Sequence, residues 1–109
     1  MRRARADRNQ PELVKAYRSL GASVQHLHTV GRGCPDLLVG IHGLNVLVEA
    51  KAGRGTLTPD ELDWHLSWTG QVEVVRSVEE AVERWQHWRT VADALYELVA
   101  KFNNSTLDK

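Results

Sequence analysis

One tight turn and the apolar runs on either side of it constrain this chain more than any other feature. Asp36-Leu37-Leu38-Val39-Gly40-Ile41 and Val46-Leu47-Val48-Glu49-Ala50-Lys51 are short, rich in Val, Leu and Ile, and bounded by Gly and Pro. Both read as strands. His42-Gly43 lies between them and reads as a two-residue hairpin turn, a weaker signal than Asn-Gly or Asp-Gly. A hairpin closed there pairs Ile41 with Leu44, and the same register carries Asp36 to a position facing Glu49. Residues directly opposed on antiparallel strands hold their Cβ atoms about 4.5–5.5 Å apart, so two like charges there repel.

A divalent cation is the simplest reason to keep such a pair. Side chains alternate along a strand, so Glu49 and Lys51 project from one face while Ala50 faces the other way. Two carboxylates and an ammonium at one hairpin end suit metal-assisted hydrolysis of a phosphodiester. Mg²⁺ accepts carboxylate oxygens together with waters and phosphate oxygens, and a nearby lysine orients water or stabilises developing negative charge. The plainer alternative is a surface salt bridge between Glu49 and Lys51, with Asp36 an ordinary residue at the start of a strand.

At 109 residues the chain reads as a single domain over residues 9–102, with a basic arm (1–8) and a polar tail (103–109). Its single cysteine, Cys34, excludes an internal disulfide framework. No apolar stretch approaches the length of a membrane span, and the basic start is not followed by an apolar segment. The expected location is therefore the cytoplasm. Net charge is zero, yet residues 1–55 hold nine Lys/Arg against four Asp/Glu, and residues 56–109 five against ten. That asymmetry of +5 and −5 implies a localised basic surface. Arg2, Arg3, Arg5 and Arg8 make the basic arm, and Arg32 and Arg54 sit in Gly-flanked loops beside the two motif ends. Basic groups around a carboxylate site would hold a polyanion that the carboxylates alone repel.

A first helix is predicted from near Pro11 to Leu20, with Gly21 as its C-cap, then a strand over Ser23–Thr29. Thr58-Pro59-Asp60-Glu61 is a capping box opening a second helix that ends at Gly70. A short strand over Val72–Val75 follows, and Ser77-Val78-Glu79-Glu80 opens the last helix. The order α-β-β-β-α-β-α, with strands apolar on both faces, implies an α/β fold with helices on both faces of a sheet. In the last helix Val78, Ala81, Trp85, Trp88, Ala92, Leu95, Val99 and Phe102 recur at spacings of three and four. This stripe is longer than one sheet needs: it reads either as a helix packing only on its own core or as one whose C-terminal half meets a second copy, and the expectation is a homodimer through the C-terminal helix.

With motif, order and caps together, the chain resembles the PD-(D/E)xK nucleases, and within them the small stand-alone VRR-NUC proteins of phages. The resemblance spans roughly residues 7–85. It rests on Asn9-Gln10-Pro11-Glu12, Gly33-Cys34-Pro35-Asp36-Leu37-Leu38-Val39-Gly40, Leu47-Val48-Glu49-Ala50-Lys51, Leu57-Thr58-Pro59, Trp64-His65 and Val74-Val75-Arg76-Ser77-Val78-Glu79-Glu80-Ala81. It implies a restriction-endonuclease-like mixed sheet and Mg²⁺ or Mn²⁺ as cofactor. It also implies Asp36 and Glu49 as metal ligands, the Ala50 backbone carbonyl as a third, Lys51 as catalytic lysine and Glu12 as an acid reaching the site. The implied substrate is DNA, branched as in junctions or flaps. Relatives commonly carry glutamine where this chain has Glu61, which leaves the role of that residue open.

A zinc site from His26, His28, Cys34 and His42 fits no common spacing. Gly31-Arg32-Gly33 lacks the lysine and Ser/Thr of a phosphate loop, and nothing in the sequence activates Cys34 as a nucleophile. The expected function is a metal-dependent DNA endonuclease; the alternative is a nuclease-like fold that binds DNA or assembles without cutting.

Overall fold

The computed structural model describes residues 8–107. Its elements are α1 (Gln10–Ser19), β1 (Ser23–His26), β2 (Leu37–Ile41), β3 (Leu44–Ala50), α2 (Pro59–Ser67), β4 (Val72–Val75) and α3 (Val78–Leu107), the order read from the sequence. They build a four-stranded mixed sheet in the order β1-β2-β3-β4. The first three strands run antiparallel, and β4 lies parallel to β3, as the α2 crossover between them requires.

The β2–β3 turn sets the register. His42 and Gly43 both take positive φ, 49° and 96°, as a two-residue turn matched to strand twist demands. Ile41 pairs with Leu44 and Leu37 with Val48, so the next opposed pair is Asp36 with Glu49. Alternation then sorts the side chains. Leu37, Val39, Ile41, Val46, Val48 and Ala50 join Leu13, Val14 and Tyr17 of α1 and Ala81 of α3 in one buried core. Leu38 and Leu47 face the other way, toward Trp64 and Trp68 on and just after α2. Helices thus cover both faces, α1 and α3 on one and α2 on the other.

Helix ends follow local chemistry. Past α1, Ala22 N–H donates to the Tyr17 carbonyl and Gly21 N–H to that of Arg18. Gly21, at φ 92°, takes the left-handed turn this arrangement needs. At α2, Glu61 N–H donates to Thr58 Oγ1 and Thr58 N–H to Glu61 Oε1, the reciprocal box. At α3, Glu80 N–H donates to Ser77 Oγ, but the Glu80 carboxylate reaches one residue further back, to the Arg76 amide at 2.8 Å.

Two boundaries differ from the sequence reading. β1 ends at His26 rather than Thr29, because Leu27 N–H makes one last bond to Asp36 O and Val30 N–H then closes a turn on Leu27 O. α3 continues through Leu107, into residues read as a polar tail. Once a helix is nucleated, each added residue contributes a hydrogen bond, so a polar composition does not by itself end it. The apolar stripe also divides. Ala81 and Ala92 are buried and Trp85 and Trp88 pack against the core, whereas Leu95, Val99 and Phe102 are exposed. At about 1.5 Å per residue the 30-residue helix is roughly 45 Å long and outruns the sheet. Among the described residues no helix is long and apolar enough to cross a membrane.

Candidate functional site

At the end of the hairpin away from its turn, the sheet changes from hydrogen-bonded ladder to open side chains. In the continued register Ala50 lies opposite Pro35, which has no N–H to return to the Ala50 carbonyl. The Ala50 amide turns instead to the side chain of Asp36, donating to Oδ2 at 2.9 Å. Asp36 is thereby fixed at the mouth of the strand pair with its second oxygen uncommitted to that bond.

Glu49 is its neighbour and is 2% exposed. Burial, then a hydrogen bond shared with Asp36 and the charge of Asp36, push the Glu49 carboxyl up from the ordinary 4.5 to about 10. Its Oε1 is buried without a hydrogen-bond partner. An acceptor without a donor beside a second carboxylate is chemistry suited to a cation. Among the described residues no group of three or more His, Cys, Asp or Glu side chains gathers around it. Mg²⁺ does not require one, since it commonly binds one or two carboxylates and keeps waters. Asp36, Glu49 and the Ala50 carbonyl fit that ligand type.

Lys51 emerges on the same face, and its Nζ lies 2.8 Å from Glu61 Oε1, both side chains being mostly buried. Burial alone would raise the Glu61 carboxyl, but its bonds to Lys51 and Thr58 outweigh that and hold it below the ordinary range. Glu61, the N3 acid of the α2 capping box, is therefore also the ion-pair partner of Lys51. One turn along α2, His65 is pushed down in pKa by burial and by Lys51 against the opposing pull of Glu61, so it stays neutral near pH 7. Its Nε2 is buried without a partner.

Asn9 supplies the brace that the sequence reading overlooked. It makes no side-chain cap on α1; its Nδ2 donates to Lys51 O at 3.2 Å and Arg76 O at 2.9 Å, tying the helix start to the ends of β3 and β4. Arg76 in turn donates to the carbonyls of Gly53 and Gly55, closing the loop after Lys51. The asparagine is visible in the sequence, but its partners lie 42 and 67 residues away, and no local pattern announces them.

Glu12 does not join this cluster. It is exposed and lines a groove with Lys15, Val78 and Val82 between α1 and α3, and it is not among the charges acting on Glu49. By strand alternation Glu49 projects toward α2, while α1 packs on the opposite face of the sheet. Arg8, Arg32 and Arg54 are exposed on segments flanking the site. Arg2, Arg3 and Arg5 lie outside the described residues. His42 contacts Asp93 at 3.4 Å by the hairpin turn, at the far end of β2 from Cys34, so the four candidate zinc ligands do not converge.

No family model, curated protein or solved structure matches this chain.

The loop before Asp36 is held as tightly as the one after Lys51. Gly33, at φ 81°, approaches the first turn of α2 so closely that a Cβ there would fall 2.3 Å from Asp60 O. Gly33→Ala combines a left-handed alanine with a clash against backbone. It is expected to cost about 2 kcal/mol or more, lowering the melting temperature by roughly 10 °C; thermal unfolding followed by circular dichroism checks this.

Proposed function

We propose that this protein is a metal-dependent DNA endonuclease with a restriction-endonuclease-like fold, a VRR-NUC member of the PD-(D/E)xK nucleases, acting on branched DNA. One observation carries the reading: Asp36 stands beside a buried Glu49 whose Oε1 has no partner, with Lys51 projecting from the same face. A buried carboxylate beside a second one is costly to a fold unless a cation or a proton neutralises it.

In this reading Asp36, Glu49 and the Ala50 carbonyl hold Mg²⁺ or Mn²⁺, which when bound lowers the pKa of water and offsets phosphate charge. Lys51 holds and orients the attacking water or a phosphate oxygen. Glu61 holds Lys51 in place, and Asn9 fixes the backbone that carries it. Arg8, Arg32 and Arg54, with the arm arginines, attract the DNA backbone. The exposed stripe of Leu95, Val99 and Phe102 supports pairing of two copies through α3, which would set two sites on one branched substrate.

The test uses end-labelled duplex, flap and four-way-junction DNA. Wild type is expected to cut in Mg²⁺ or Mn²⁺ and not in EDTA, with branched DNA preferred. Cleavage that survives EDTA overturns the metal mechanism. Binding without cleavage under every metal condition replaces the nuclease with a DNA-binding protein.

A further inference from the structure

The α2 face of the sheet holds a second feature that the cleavage chemistry does not use. A cavity of about 440 Å³ opens beside the carboxylates, lined by Cys34, Leu38, Leu47, Trp64, Trp68 and Gln71 among others. Cys34 and Leu38 lie two residues to either side of Asp36, and Leu47 two before Glu49, so the cavity begins about 7 Å along the strands from the carboxylates.

The walls are flat and built. Trp64 and Trp68 stack with ring centroids 4.7 Å apart and planes 22° apart. Trp68 folds over Gly70, where a Cβ would lie only 2.8 Å from its indole nitrogen, so the glycine makes room for the ring. The Trp68 side chain remains 47% exposed. Asn45 and Gln71, the two side-chain amides on the rim, both donate and accept hydrogen bonds.

We infer that this cavity receives one unstacked nucleobase of the DNA strand whose phosphate lies at Asp36 and Glu49. Aromatic faces with amide groups at the rim are the chemistry that recognises an extruded base, by stacking and by hydrogen bonds to its edge. An apolar peptide would use the walls but not the adjacency to a phosphate site, and this adjacency decides between them. The inference rests on the nuclease reading and deepens it, since it makes an unpaired nucleotide beside the scissile phosphate part of the recognised substrate.

The test compares fluorescein-labelled duplexes carrying either a single unpaired adenine or an abasic tetrahydrofuran at the same position. Binding is read by anisotropy in EDTA, with strand integrity checked on gels. Wild type is expected to bind the adenine duplex about 10-fold more tightly, in line with the usual contribution of base–aromatic stacking. Trp68→Ala brings the two to parity, and Trp68→Phe keeps part of the preference. Equal binding of both duplexes by wild type overturns the inference, as does a preference that persists in Trp68→Ala. A change in sedimenting mass on Trp68→Ala also overturns it, assigning the cavity to a second copy of the chain. Cleavage in Mg²⁺ without base preference removes the cavity proposal and leaves the nuclease; base preference without cleavage in any metal does the reverse.

Discussion

Glu49→Gln is expected to abolish cleavage and, in EDTA at alkaline pH, to raise the melting temperature. Both effects come from one carboxyl. In the folded chain Glu49 titrates near 10 instead of near 4.5, because burial and then Asp36 disfavour its charge. Between those values the folded state retains a proton that the unfolded chain has released, so stability falls as pH rises. This contribution is fully present below about pH 4.5 and is lost by the time pH passes 10. Wild type should therefore melt progressively lower from pH 5 to pH 9. Gln cannot ionise, and the variant's profile lacks that slope. Under the proposed function a divalent cation is expected to reverse the wild-type trend, by binding the deprotonated pair and stabilising the folded state more as pH rises. The Gln variant shows little of that metal-induced rise. Scans at pH 5, 7 and 9, each with EDTA or Mg²⁺, decide the matter. Superimposable profiles for the two proteins in EDTA would refute the assignment of a buried, proton-retaining carboxyl beside Asp36.

Much of this arrangement is legible in the chain because it is local. The two-residue turn at His42-Gly43 fixes the pairing of Ile41 with Leu44, and period-two alternation then brings Asp36 to Glu49 without any tertiary knowledge. The Thr58–Glu61 box is likewise a four-residue signal, and both its hydrogen bonds form. What escapes the sequence is long-range or two-sided. Glu12 is a site acid by resemblance alone, and which side of the sheet α1 covers is decided by Leu13, Val14 and Tyr17 packing on Leu37, Val39 and Val48. Asn9 sits where a helix cap is expected, but its amide is drawn to two carbonyls at strand ends. Glu61 is identifiable as a cap; its second bond, to Lys51, depends on α2 lying across the face from which Lys51 projects.

That second bond leads to the remaining large effect. Lys51→Ala is expected to lower the cleavage rate by about 10²–10⁴-fold, the usual scale for losing a positioned proton-handling group. Substrate binding should change little if, as proposed, the flanking arginines supply most of the phosphate attraction. Glu61→Gln separates the two jobs of residue 61. A glutamine oxygen still accepts the Thr58 amide, so the cap and the melting temperature are retained. Toward Lys51 it offers a neutral acceptor in place of a charged one, weakening a 2.8 Å bond between two mostly buried groups. Cleavage should then fall by about 10-fold, the factor that corresponds to roughly 1.4 kcal/mol and to the difference between charged and neutral hydrogen bonds. Glu61→Ala also loses the bond from Thr58 N–H, the side-chain half of the capping box, at a further cost of about 1 kcal/mol in stability. The decisive measurement is the double variant Lys51→Ala/Glu61→Gln. If Glu61 acts only through the lysine, the pair cuts no more slowly than Lys51→Ala alone, because residues working as a unit are not additive. A further 10-fold loss in the double variant would give Glu61 a contact of its own with substrate or metal and remove it from the positioning role.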